Sequence, residues 1–183
     1  VMDEAVKRAF EEVSKRSPQL SEEERRRISE IVGIGAIRFA LVDVDPLKPV
    51  TFTWESVLDF ERNSSPYIQY TYARAGSILR KASLKPESLE AHLLRTSIEK
   101  KLVVTVSRFP EVVIEVSENL KPNSIADYLI SLADLFNSFY NSTPVIKAES
   151  RELTSARLAL VDAVRVVIRN ALHLLGIEAP ERM

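Results

Sequence analysis

Apolar residues recur at three- and four-residue steps along nearly the whole chain, and glycine and proline punctuate it sparsely, which predicts long helices with short connections. Ala5, Val6, Ala9, Phe10 and Val13 open the pattern and predict a first helix over roughly 3–15, closed near Pro18. Ser21 followed by Glu24 is a capping-box pair, so a second helix carries Arg25, Arg26 and Arg27 with Ile28, Ile31 and Val32 behind them. The run from Gly35 to Val42 is apolar enough for a buried strand or a buried helix, and periodicity alone does not choose between them. Asp45-Pro46-Leu47-Lys48-Pro49 is a break, Val50 to Trp54 reads as extended, and a short helix follows to Phe60. Asn63-Ser64-Ser65-Pro66 ends one unit and starts another, because proline is tolerated in a first helical turn.

Five more helices are predicted, at roughly 66–83, 86–107, 110–118, 123–141 and 150–175. Val103 to Val106 and Val112 to Ile114 are β-branched, yet Leu94, Ile98 and Leu102 carry helical spacing into that stretch. Ser124 with Asp127 is a second candidate capping box, and Gly176 is placed to terminate the last helix. The fold class is all-α, an antiparallel helical bundle without internal repeats.

Composition narrows the chemistry. The 183 residues include no cysteine and two histidines, His92 and His173, which excludes a disulfide framework, a thiolate metal site, a cysteine nucleophile and a multi-histidine zinc site. Gly33 and Gly35 are followed by no third glycine and no Gly-Lys-Ser/Thr, so a nucleotide-phosphate loop is not expected. With 25 basic and 26 acidic side chains the net charge is −1, and any nucleic-acid contact must use a local patch. No apolar run reaches the roughly 18 residues of a membrane span, and the start lacks a signal-peptide pattern, so a cytoplasmic protein is expected. Beginning on Val1 inside a helical pattern, the chain reads as a piece of something longer. Glu22 to Arg27 and Glu99-Lys100-Lys101 read as solvated helix faces.

The least ordinary stretch is Pro66 to Lys81. On a helix, Ile68, Ala75, Leu79 and Ala82 share one stripe, while Tyr67, Tyr70, Arg74, Ser77 and Lys81 share another. Aromatic rings beside cations suit single-stranded RNA, whose bases stack on tyrosine while its phosphates meet arginine and lysine. Half-buried packing tyrosines with surface charges fit the same residues, and from composition alone that plainer reading leads. Phe136, Phe139 and Tyr140 read as core, and Arg165 and Arg169 near Asp162 as a charged helix face.

Several blocks occur in order: Val32 to Phe39, Asp45 to Pro49, Asn63 to Arg74, Lys121 to Leu129, Leu132 to Tyr140, Arg157 to Val161, and the closing Leu174 to Met183 with its Pro-Glu-Arg-Met. Together they resemble the region of arginyl-tRNA synthetases that follows the catalytic core. The resemblance implies an all-helical anticodon-binding domain of the type named for an Asp-Ala-Leu-Arg pattern. Residues 1–62 would then be the tail of the catalytic half and the junction, and 63–183 the domain itself. It implies a parent enzyme, a class I ligase that attaches arginine to its tRNA with ATP and Mg2+. The His-Ile-Gly-His and Lys-Met-Ser-Lys signatures of that class are absent here, so the resemblance implies no catalytic residue, metal site or cofactor in this chain.

The implied partners are the anticodon loop of arginine tRNA and the parent's catalytic domain, with neither DNA nor membrane. Carried over by position, the implied contacts are Tyr67, Tyr70, Arg74 and Arg80 on one helix, with Tyr140 and Met183. Tyrosines would stack, arginines would meet phosphates or base edges, and Met183 would supply an apolar and terminal-carboxylate contact. Arginine tRNAs share a cytidine at the middle anticodon position, which makes that base the implied specificity element. Arg62 and Ser65 stand where the family commonly has glycine, and Tyr72 where it commonly has histidine. The competing expectation is a helical protein-interaction or scaffold module without RNA binding.

Overall fold

A computed structural model describes residues 1–82 and 90–183, and every regular element among them is helical. They are α1 (Met2–Arg16), α2 (Glu22–Val42), α3 (Trp54–Val57), α4 (Ser65–Lys81), a 3-10 turn (Ala91–Leu93), α5 (Ser97–Ser107), α6 (Phe109–Asn119), α7 (Asn123–Ser142) and α8 (Arg151–Leu174). The capping box at Ser21 and Glu24 forms, and α2 runs unbroken through Gly35 to Val42, which resolves the strand-or-helix alternative. That segment is largely apolar because it is covered on two sides, with Arg38 and Leu41 left exposed. A Cβ on Gly33 would lie 2.7 Å from the backbone nitrogen of Val6 in α1, and one on Gly35 would lie 2.9 Å from the amide of Gln69 in α4. The Gly-x-Gly spacing therefore lets two neighbours approach α2 closely. Gly33→Ala is expected to cost about 1–3 kcal/mol, because α1 backbone cannot yield as a flexible side chain would. Thermal unfolding checks this, and an unchanged midpoint would contradict it.

Three expectations need correction. The extended stretch stops at Thr53, whose backbone is extended and whose hydroxyl caps α3 by accepting from the Ser56 amide, and the short helix ends at Val57 rather than Phe60. The helix expected over 86–107 begins outside the described residues and, where described, is not continuous: α5 starts only at Ser97. Thr96 and Glu99 form a reciprocal capping box there, the Thr96 N–H and hydroxyl each donating to the Glu99 carboxylate at 2.8 Å. Ser124 and Asp127 do not cap α7, since that helix begins one residue earlier, at Asn123 behind Pro122. The β-branched runs are helical in α5 and α6, as helical spacing predicts.

The main core joins α4, α5, α7 and α8 through Ile68, Tyr72, Leu102, Leu129, Phe136, Phe139, Leu158 and Ile168. Buried within it, Glu99 is fully shielded and pairs with Arg157 at 2.7 Å, while Arg157 also donates to the Pro144 carbonyl. Glu99 is thus no part of a solvated face. A second apolar cluster, Ala9, Val13, Ile28, Val32 and Phe60, lies between α1 and α2, with Leu20, Leu58 and Met183 against it. Past α8, Gly176 takes a left-handed φ of 69°, and the Ile177 and Gly176 amides return to the Leu172 and His173 carbonyls. This terminates α8 and turns the chain back across α4.

Candidate nucleic-acid interface

Helix α4 is set by its N-terminus. The Ser64 hydroxyl accepts from the Tyr67 amide and donates to the Asp59 carbonyl, and Pro66 follows in the first turn. The one residue of this turn with positive φ is Asn63, at 50°, which asparagine tolerates. Ser65 and Arg62 therefore need no glycine.

From this anchored start, α4 and the C-terminal end of α7 enclose an open cleft of about 470 Å3, lined by Tyr70, Ala73, Arg74, Ser77, Arg80 and Lys81 of α4, Tyr140 of α7, Gln19 and Leu20 of the α1–α2 turn, and Arg182 and Met183 of the tail. Five of the six residues expected at a binding site, Tyr70, Arg74, Arg80, Tyr140 and Met183, are brought together here. The lining carries the four cations Arg74, Arg80, Lys81 and Arg182 and no acidic side chain. The Arg74 guanidinium lies 4.8 Å from the Tyr70 ring centre and 5.0 Å from that of Tyr140, so one planar cation holds two aromatic platforms. Tyr140 remains 43% exposed.

Tyr67 is the exception. Its ring is only 8% exposed and packs in the core, with its hydroxyl donating to Asp134 at 2.8 Å and accepting from Asn137 at 3.0 Å. Burial, aided by the neighbouring Asp134 carboxylate, pushes this phenol up to about 12, so it stays a donor throughout the physiological range. The geometry gives Tyr67 a supporting position and no face for a base to stack on. Asn137 links the layers: its amide N–H groups reach Tyr67 and Thr71, and its carbonyl accepts from Arg74. In the sequence Asn137 is marked only as a carboxamide one turn before Tyr140, between the core residues Phe136 and Phe139, and Arg182 only by its place beside Met183 in the closing motif.

The model of the DALR anticodon binding domain matches residues 68–183. The chain belongs to this family. The DALR chain is 52% identical over its whole length to an arginine–tRNA ligase of Pyrococcus abyssi, of which it covers 30%, and 48% identical to that of Ignicoccus hospitalis, covering 29%. It spans about a third of the length of these curated relatives. Among solved structures it superposes on Thermus thermophilus arginyl-tRNA synthetase with a TM-score of 0.93 and 35% identity, covering all of this chain and 31% of that one. Of the six expected residues, Tyr70, Arg74, Arg80, Tyr140 and Met183 fall within the DALR match, and Tyr67 directly precedes it.

Proposed function

We propose that this DALR chain reads the anticodon loop of arginine tRNA as the C-terminal part of a cytoplasmic arginine–tRNA ligase. In this reading residues 63–183 form the reading domain, and 1–62 the tail of the catalytic half and the junction that joins it to the rest of the enzyme. The observation that carries it is the Tyr70–Arg74–Tyr140 stack at the mouth of a cleft whose only charged side chains are cations, because unpaired bases need exposed aromatic faces next to phosphate-neutralising charge. Tyr140 and Tyr70 stack on bases. Arg80, Lys81 and Arg182 neutralise phosphates, Met183 packs against a base, and Tyr67 with Asn137 fixes Arg74. The family match supports this over a scaffold module that binds no RNA.

The parent would attach arginine using ATP and Mg2+, and the residues present here do not fit that site. Gly33 and Gly35 are occupied by helix contacts, and among the described residues no three His, Cys, Asp or Glu side chains are grouped to hold a metal. We assign that chemistry to the remaining two-thirds of the ligase.

Fluorescence anisotropy with a labelled anticodon stem-loop of arginine tRNA tests the site. Tyr140→Ala is expected to weaken binding by about 1–3 kcal/mol, the contribution of one stacked base. Arg80→Ala is expected to flatten the dependence of log K on log salt by about 0.7, one phosphate contact to a single strand. Unaltered affinity and salt slope in both variants would remove the cleft from the binding site.

A further inference from the structure

Among the contacts that hold the tail bringing Arg182 and Met183 to the cleft is an ionic and phenolic clasp that the binding reading leaves unused. The Tyr72 hydroxyl donates to Glu181 Oε1 at 2.5 Å, and Arg165 Nη2 donates to both carboxylate oxygens, at 3.0 and 2.7 Å. The Arg165 guanidinium also lies over the Tyr72 ring, 4.9 Å from its centre. Tyr72 itself is 1% exposed, so its hydroxyl emerges from the core at a fixed point. Gly76, one turn further along α4, leaves the space these cations cross: a Cβ there would lie 3.0 Å from Arg80 Nη1 and 3.4 Å from Arg165 Nε. Two residues upstream of Pro180 the backbone is pinned again, the Glu178 carbonyl accepting from the buried Gln69 amide at 2.7 Å. The tail is therefore clamped on both sides of Pro180, and the second clamp immediately precedes Arg182 and Met183.

We propose that Tyr72, Arg165 and Glu181 are positioning residues for the anticodon cleft: by fixing Glu181 they set where Arg182 and Met183 stand against a bound base, and so set base discrimination. This rests on the binding reading above. A tail held only by the Glu178 carbonyl and the packing of Met183 would still offer a cation and a thioether, but would lose part of the ordering that makes their contact selective, since positioning entropy would have to be supplied on binding. The Tyr72 ring would remain in the core without its hydroxyl, and the Arg165–Glu181 pair is partly exposed, with side-chain exposures of 22% and 60%. Loosening the clasp should thus leave the fold standing.

The test is the ratio of affinities of the chain for arginine tRNA and for the same tRNA with its middle anticodon base changed, read in a double-mutant cycle. Glu181→Ala and Tyr72→Phe are each expected to lower the ratio at least about threefold with a thermal midpoint close to that of the parent chain. In a Met183→Ala background, Glu181→Ala should lower it no further, because the clasp acts through the tail. An equal loss in both backgrounds would overturn the inference. So would an unchanged ratio in Glu181→Ala when Met183→Ala lowers it, and that result would leave the binding reading intact. An unchanged ratio in Met183→Ala and Arg74→Ala alike would sink the clasp and the binding reading together.

Discussion

Glu99→Ala is expected to destabilise the chain by about 3–5 kcal/mol, the cost of leaving a buried charge without its partner. Glu99 is fully buried, its partner Arg157 is 8% exposed, and the only other acceptor recorded for Arg157 among the described residues is the Pro144 carbonyl. The same substitution removes the reciprocal half of the capping box that starts α5. For a chain of this size the midpoint of thermal unfolding should fall by about 10 °C or more. Arg157→Ala should cost a similar amount, and the double replacement less than the sum, since neither charge is then stranded. Additive losses would show that the two side chains do not act as a pair.

The pair also fixes the direction of a pH effect. Burial alone would raise the Glu99 carboxyl, but the Thr96 amide and hydroxyl and the Arg157 guanidinium more than offset it and hold it below the usual value of 4.5. Its contribution is therefore complete above about pH 4.5 and is lost as the pH falls through the lower folded value. Urea unfolding in steps below pH 5 should show the parent losing stability more steeply than Glu99→Gln.

Arg74→Ala is expected to weaken binding of the arginine anticodon stem-loop by about a hundredfold, more than loss of either tyrosine alone. Two platforms lean on the one guanidinium, and each stacked base contributes about 1–3 kcal/mol. Arg74→Lys should rescue little, because an ammonium is neither planar enough to lie between two rings nor forked to reach Asn137 at the same time. Full rescue by lysine would show that charge alone matters at this position. Anisotropy titrations of the three proteins at one salt concentration distinguish these outcomes.

Most helices were legible because burial on one face imposes helical spacing whatever the local propensity, which is why Val103 to Val106 and Val112 to Ile114 are helical despite their branching. What spacing could not convey was depth. Tyr67 and Arg74 are two turns apart on the same side of α4, yet Asp134 and Asn137 of α7 cover the first, whereas the second touches Asn137 on one side and opens on the cleft with Tyr140 on the other. A helical wheel gives the face and says nothing of what stands opposite each turn. Glu99 was hidden differently. Its Thr-x-x-Glu signature was as readable as that of Ser21 and Glu24, but the adjacent lysines made it look like part of a charged surface. Tyr72 had no role readable from sequence, because its partner Glu181 lies 109 residues away.

Whether this cleft reads an anticodon is decided by the affinity of the chain for arginine tRNA compared with the same tRNA changed only at the middle anticodon base. The base change is expected to weaken binding by about 1–3 kcal/mol, and Arg74→Ala to erase most of the difference. Equal affinity of the unaltered chain for both tRNAs would contradict it.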